Sequence, residues 1–225
     1  MKIKSPWSSE ISLFDYSHSF IQSDFFDTLV EDIKDICQLN GVDYHNGRDL
    51  HITRLDAKML SIGALSTPHK TFLDIGTNMG LSACILASIP GSHVITLEKN
   101  SEHAKLAKEL FKRHSHLNIE LIEGDAHENL ASLNETFGLV FIDAEKKGYQ
   151  RYFEWSHNHL NTGGWILVDN VFALGTVTTP EKEIPKQLRS ITKFLNLFNQ
   201  NVLTHPDYES FILPTQEGLL IALKK

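Results

Sequence analysis

From Thr71 onward, short apolar runs alternate with amphipathic stretches. Thr71 to Ile75, Val94 to Leu97, Ile119 to Ile122, Leu139 to Ile142 and Trp165 to Val168 are mostly apolar, as strands covered on both faces should be. Between them apolar residues recur at helical spacing. These helices run from Leu81 to Ile89, Ser101 to His114 (Ala104, Ala107, Leu110 and Phe111 on one face), Ala126 to Leu133, and Tyr149 to about His159. Pro90-Gly91 and Gly163-Gly164 read as turns into the following strands. The alternation predicts parallel strands joined by right-handed crossovers, with C-terminal strand ends along one rim. Ile184, Leu188, Ile191, Leu195 and Phe198 predict a last long helix. Phe211 to Leu213 and Leu219 to Leu223 then flank Pro214 to Gly218 as a closing antiparallel hairpin.

The chain before Thr71 is less regular. Ser5-Pro6 and Ser8-Ser9 suggest a loose start, and Asp27 or Thr28 is placed to cap a helix carrying Leu29, Ile33, Ile36 and Cys37, ended by Asn40-Gly41. Asn46-Gly47 predicts a turn, and Asp56 to Leu65 a second helix with Met59, Leu60, Ile62 and Ala64 as apolar positions. Phe14, Phe20, Phe25 and Phe26 read as core, with a substrate lid or dimer contact as the alternative. A length of 225 residues fits one domain over 1–225, in which N-terminal helices in 1–66 pack beside a core in 67–225.

Composition narrows the function classes. No apolar run approaches the ~18 residues of a membrane span, and Met1 to Glu10 lacks a signal-peptide core, so a cytoplasmic protein is expected. A net charge of −7 with scattered basic residues favours a small-molecule partner over a large phosphate-binding surface. Cys37 and Cys84 sit in apolar helical patterns and read as buried free thiols. His114-x-His116 and His157-x-His159 have a spacing that does not share a helical face, and they read as surface histidines.

The chemistry gathers at strand ends. The first strand runs into Gly76-Thr77-Asn78-Met79-Gly80. Glycines at 76 and 80 remove Cβ atoms that would keep a ligand off the backbone, and the helix starting near Gly80 turns free N–H groups to the same spot. A dinucleotide fold would show G-x-G-x-x-G. This turn is D-x-G-x-x-x-G, and Asp74 suits a ligand that is positively charged and free of phosphate. A glycine turn that merely joins strand to helix is the plainer alternative.

Asp74, Glu98, Asp125, Asp143 and Asp169 all fall at or near strand ends, where carboxylates repel one another unless a cation lies between them. Glu98 is placed to accept both hydroxyls of a ribose. Asp125-Ala126 is placed to flank an adenine ring, with a solvated loop acid as the alternative reading of Asp125. Asp143, Asp169 and Asn170 offer two carboxylates and an amide oxygen, a donor set for a hard dication with positions left for substrate oxygens. Lys146 stands three residues past Asp143, placed to take a proton from a hydroxyl held there.

The runs FLDIGTNMGLSA, GDA, FIDAEKKGY, GGWILVDNV and LPTQEGLLIALKK, together with Glu98, resemble the cation-dependent O-methyltransferases of the catechol and caffeoyl-CoA O-methyltransferase type, from about Asp56 to the C-terminus. The resemblance implies a Rossmann-like class I methyltransferase fold: a seven-stranded, mostly parallel α/β sheet with an antiparallel last strand and helices on both faces. It implies S-adenosylmethionine as methyl donor, held by Asp74, Gly76, Thr77, Asn78, Gly80, Ser82, Glu98, Asp125, Ala126, Asp143 and Tyr149, with Ser82 near the cofactor carboxylate. It further implies a divalent cation, Mg²⁺ before Ca²⁺ or Mn²⁺, on Asp143, Asp169 and Asn170, with Lys146 as catalytic base. Family members are commonly homodimers, so a homodimer is expected.

The expected reaction is methylation of a hydroxyl on a small, catechol-like acceptor. The alternative is methylation of a modified tRNA nucleotide, which some bacterial relatives perform and which the acidic balance weighs against. An NAD-dependent oxidoreductase would need the missing glycine pattern. A protein that only bound the cofactor would have no use for Lys146 beside a full ligand set. Two departures from the family stand out: Glu145 replaces the usual aspartate, and Phe172-Ala173-Leu174-Gly175 replaces L-W-x-G, leaving no tryptophan to wall the acceptor pocket.

Overall fold

The computed structural model describes residues 24–44 and 52–225. Ser5-Pro6, Ser8-Ser9, Phe14, Phe20 and the Asn46-Gly47 turn lie outside them. Seven strands form one sheet: β1 (Thr71–Ile75), β2 (His93–Glu98), β3 (Ile119–Glu123), β4 (Phe137–Ile142), β5 (Leu160–Val168), β6 (Tyr208–Leu213) and β7 (Leu219–Lys224). Their order is β3-β2-β1-β4-β5-β7-β6. The first five run parallel, and β7 lies antiparallel between β5 and β6. This is the mostly parallel seven-stranded sheet expected. Strand order reverses between β1 and β4, the place where open α/β sheets open a crevice for ligands.

Alternation along the strands divides the core in two. Phe72, Val94, Leu139, Phe141 and Leu167 face one layer of helices, and Leu73, Ile75, Ile95, Val140 and Ile166 the other. The first layer holds α1 (Asp24–Leu39), α2 (Arg54–Ser66), α3 (Leu81–Ala87) and α4 (Ser101–Arg113). The second holds α5 (Ala126–Leu130), α6 (Tyr149–His159) and α7 (Arg189–Leu203). Every residue of β4 is buried, as its unbroken apolar run requires. No helix among the described residues is long and apolar enough to cross a membrane.

Several local expectations need correction. The first helix begins at Asp24, so Asp27 and Thr28 lie inside it; Asn40-Gly41 does end it, Gly41 taking φ +67°. Thr53 caps α2 in a reciprocal capping box with Asp56. Ile62 and Leu65 point away from the buried stripe of Ala57, Leu60 and Ala64. Gly163-Gly164 lies within β5 rather than before it: Phe137 pairs with Leu160 but Leu139 with Trp165, and the extra residues are absorbed at a bulge. The last helix begins only at Arg189. Ile184 follows a 3₁₀ turn at Glu181–Glu183 and Leu188 ends a second at Lys186–Leu188, because Pro185 supplies no N–H and keeps the residue before it out of helical conformation.

Cys37 and Cys84 are buried free thiols, Cys37 contacting Met79 Sδ at 3.4 Å. His114 departs from the surface reading. It is buried, with Nε2 2.8 Å from an Asp32 carboxylate that also receives Arg113 at 2.8 Å.

Candidate active site

Backbone bonds bring the strand ends together. Gly76 and Thr77 donate their N–H groups to Leu97 O at 3.0 and 3.1 Å, Asp143 donates to Ile75 O at 2.9 Å, and Asp169 to Ile142 O at 3.0 Å. The residues that follow β1, β4 and β5 are thereby held side by side. Above them opens a cavity of about 660 Å³, within the range of small-molecule sites. Of the residues singled out in the sequence, Gly76, Asn78, Glu98, Ala126, Asp143, Lys146, Asp169 and Asn170 line it. Asp74, Thr77, Gly80, Ser82, Asp125 and Tyr149 are not among its lining residues.

The two motif glycines are required by the protein's own packing. A Cβ on Gly76 would lie 2.0 Å from Asp143 O, and one on Gly80 2.6 Å from the Phe111 ring; their φ values are +109° and +93°. At both positions the conflict is with neighbouring protein atoms, and Gly76 is what lets the segment after β4 approach the end of β1.

Asp74 is fully buried and turned inward. It accepts from Thr96 Oγ1 at 2.7 Å and from Ser82 Oγ at 3.1 Å to each oxygen, while Thr77 and Thr96 hydroxyls meet at 2.6 Å. Burial pushes its carboxyl up to about 7 despite those hydrogen bonds, with the Asp143 and Glu98 charges adding to the effect.

At the β2 end of the cavity, Glu98 is oriented by two backbone donors. Asn78 N–H reaches Oε2 at 2.7 Å, and Asn100 N–H reaches Oε1 at 2.8 Å. Asn78 takes φ +48°, a left-handed conformation that asparagine tolerates well. Each Glu98 oxygen retains a lone pair for a hydroxyl. Asp125 caps α5 by accepting His127 N–H at 2.8 Å, so its neighbour Ala126 is the residue that reaches the cavity.

At the β4 and β5 ends, Lys146 Nζ lies 2.6 Å from Tyr149 Oη, 2.7 Å from Asn170 Oδ1 and 3.4 Å from Asp143 Oδ1. Tyr149 in turn donates to Asp169 O at 2.8 Å, and Asn170 N–H donates to Asp169 Oδ1 at 2.6 Å. Burial raises the Tyr149 phenol well above its usual value, with Asp143 and Asp169 adding to the effect, so it remains a donor. Burial also raises the Asp169 carboxyl above the usual carboxylate range, reinforced by the charges of Asp143 and Asp56.

Sequence reasoning missed other cavity residues. Asp56 was read only as a helix start; it lines the cavity while accepting Thr53 N–H at 3.0 Å and Thr53 Oγ1 at 2.6 Å. The T-x-x-D spacing signals this cap, but nothing local places it beside Asp169. Glu145 also lines the cavity, held by Tyr152 Oη at 2.5 Å and Lys99 at 3.4 Å. Ala173, Leu174, Leu188, Ile191 and Leu195 add an apolar wall, in the region where the family's tryptophan is absent.

The family described as O-methyltransferase matches residues 27–225. The catechol O-methyltransferase of Mycobacterium tuberculosis is 32% identical over 130 residues, covering 56% of this chain and 59% of its own. Caffeoyl-CoA O-methyltransferase 5 of Nicotiana tabacum is 26% identical over 162 residues, 68% of each chain. The crystal structure of an O-methyltransferase from Bacillus cereus in complex with SAH superposes with a TM-score of 0.75 at 25% identity, covering 95% of this chain and 97% of that one.

Proposed function

This chain belongs to the O-methyltransferase family, and on that premise we propose that it moves a methyl group from S-adenosylmethionine to a hydroxyl of a small, catechol-like acceptor with the aid of a divalent cation. The observation that carries the reading is the convergence of Asp143 Oδ1 and Asn170 Oδ1 on one ammonium, Lys146 Nζ, beside the buried Asp169 carboxyl. A place already suited to positive charge, surrounded by oxygen donors, fits a hard dication such as Mg²⁺. The cofactor fits as well: Glu98 offers two oriented carboxylate oxygens to a ribose, and Gly76, Asn78 and Ala126 line the same cavity.

Asp143, Asp169 and Asn170 would hold the cation. When bound, the cation would supply positive charge that favours the oxyanion form of an acceptor hydroxyl, and S-adenosylmethionine the transferable methyl group. The remaining work belongs to the chain. In its uncharged amine form, Lys146 Nζ stands where a hydroxyl proton can be received, and the Tyr149 phenol keeps it aimed at the rim. The apolar wall from Ala173 to Leu195 suits the ring of a phenol and excludes water from its face. Orientation of two bound partners contributes most of the expected rate.

The test is transfer of a labelled methyl group from S-adenosylmethionine to a panel of catechols and simple phenols, with parallel Mg²⁺ and EDTA arms. Label on a catechol oxygen in the Mg²⁺ arm alone is the expected result. Equal transfer in EDTA would remove the cation, and label on none of the panel would remove the acceptor class.

A further inference from the structure

At the edge of the sheet opposite the cavity, His157 in the last turn of α6 meets His205 and Asp207 in the turn between α7 and β6. One potential ligand atom from each of the three lies within 4.8 Å of the others. Tyr208, which follows them, opens β6 and pairs with Lys224 at the end of β7. Three segments distant in sequence therefore converge at this corner.

We propose that His157, His205 and Asp207 form a second metal site, for a borderline ion of the Zn²⁺ type, that clips the end of α6 to the α7–β6 turn. Two imidazoles and one carboxylate are a nitrogen-rich donor set, unlike the all-oxygen set of the rim, and such a set favours Zn²⁺ over Mg²⁺. Three protein ligands leave a fourth tetrahedral position for water, and the half-exposed corner admits it. Ligand atoms around tetrahedral zinc stand about 3.3 Å apart given bonds near 2.0 Å, so the cluster, whose ligand atoms lie within 4.8 Å of one another, needs to contract by at most about 1.5 Å.

The surroundings support the assignment. His157 Nδ1 is 3.2 Å from Tyr208 Oη, leaving Nε2, which lies 3.8 Å from Asp207 Oδ2, directed at the carboxylate. A partner on the second ring nitrogen is how proteins orient a ligating imidazole. Lys224, in the adjoining β7, has its ammonium taken up by His157 O at 2.6 Å and Leu160 O at 2.9 Å. At His205, Nδ1 receives a long 3.3 Å contact from Asp207 N–H.

The experiment is calorimetric titration of tag-free, full-length protein with ZnCl2 in the presence of excess MgCl2, with Co²⁺ absorption as a second readout. Expected are one saturable Zn²⁺ equivalent, a tetrahedral Co²⁺ spectrum, and at least ~10-fold weaker binding in His205→Gln and in Asp207→Asn. Both variants alter the turn rather than the core, and unchanged melting in EDTA confirms that they fold. Asp169→Asn, on the opposite edge, should retain the Zn²⁺ equivalent. The assignment is overturned if no saturable binding occurs, if the equivalent survives the His157→Gln/His205→Gln pair, or if it disappears with Asp169→Asn.

Discussion

Lys146 Nζ and Asn170 Oδ1 stand 2.7 Å apart, joining the segment after β4 to the segment after β5. The same ammonium donates to Tyr149 Oη, whose own proton goes to Asp169 O. A flexible side chain is thereby held at the centre of the rim. The bond also means that Lys146 and the proposed cation ligands cannot be altered independently.

Replacing Lys146 by Met keeps the aliphatic stem and removes the proton acceptor. Turnover should fall by ~10² or more, the range of general-base contributions, with SAH affinity changed less than ~3-fold. Steady-state kinetics beside calorimetric SAH binding checks this, and a wild-type rate would show that another group takes the proton.

Asp169→Asn keeps the side-chain shape and an oxygen for Asn170 N–H while removing charge. Cation-dependent transfer should be lost while SAH still binds. Measuring transfer across a Mg²⁺ series separates weakened cation affinity, which high Mg²⁺ would rescue, from loss of the site.

Glu98→Ala leaves the Asn78 and Asn100 N–H groups without their carboxylate and removes both acceptors at the β2 end. Hydrogen bonds to a charged group contribute ~1.5–3 kcal/mol, so SAH affinity should drop by about 10- to 100-fold. Calorimetry reads this directly, and an unchanged Kd would move the ribose elsewhere.

Gly76→Ala places a methyl group 2.0 Å from Asp143 O at a backbone φ of +109°. Neither conflict is relieved by a side-chain rotation. Destabilisation of at least ~3 kcal/mol is expected, measured by urea unfolding, together with loss of transfer as β4 is pushed from β1.

Asp74 predicts a pH dependence. Burial raises its folded-state carboxyl from 3.8 to about 7, so the folded chain binds this proton more tightly than the unfolded chain does. Its contribution is fully present below pH ~4 and is lost as pH rises through about 7, by up to roughly 4 kcal/mol. Unfolding of the ligand-free protein at pH 5 and pH 8 should show this decline, and Asp74→Asn should flatten it.

Much of this architecture is readable from local pattern. Leu139 to Ile142 is apolar without interruption because both faces of β4 are covered, and Tyr149 to His159 repeats at helical spacing because one side of α6 lies on the sheet. In a parallel sheet the residue after each apolar run must reach a common rim, so Glu98, Asp143, Asp169 and Asn170 could be assigned together from their positions in the chain. Backbone demands were less legible. Proline interrupted the last helix at a place where apolar spacing alone continued it, and two glycines inside β5 looked like a turn.

Read alone, the amino-acid order establishes the succession of strands and helices and the residues that end them, because burial periodicity and strand polarity are local properties. Packing settles the rest: that a Cβ at position 76 would meet Asp143, that Asp74 turns inward to Ser82 and Thr96, that Asp56 joins the rim, and that His157 meets His205. Each of these depends on two segments far apart in the chain occupying neighbouring space, and steric exclusion and charge act across that space rather than along the sequence.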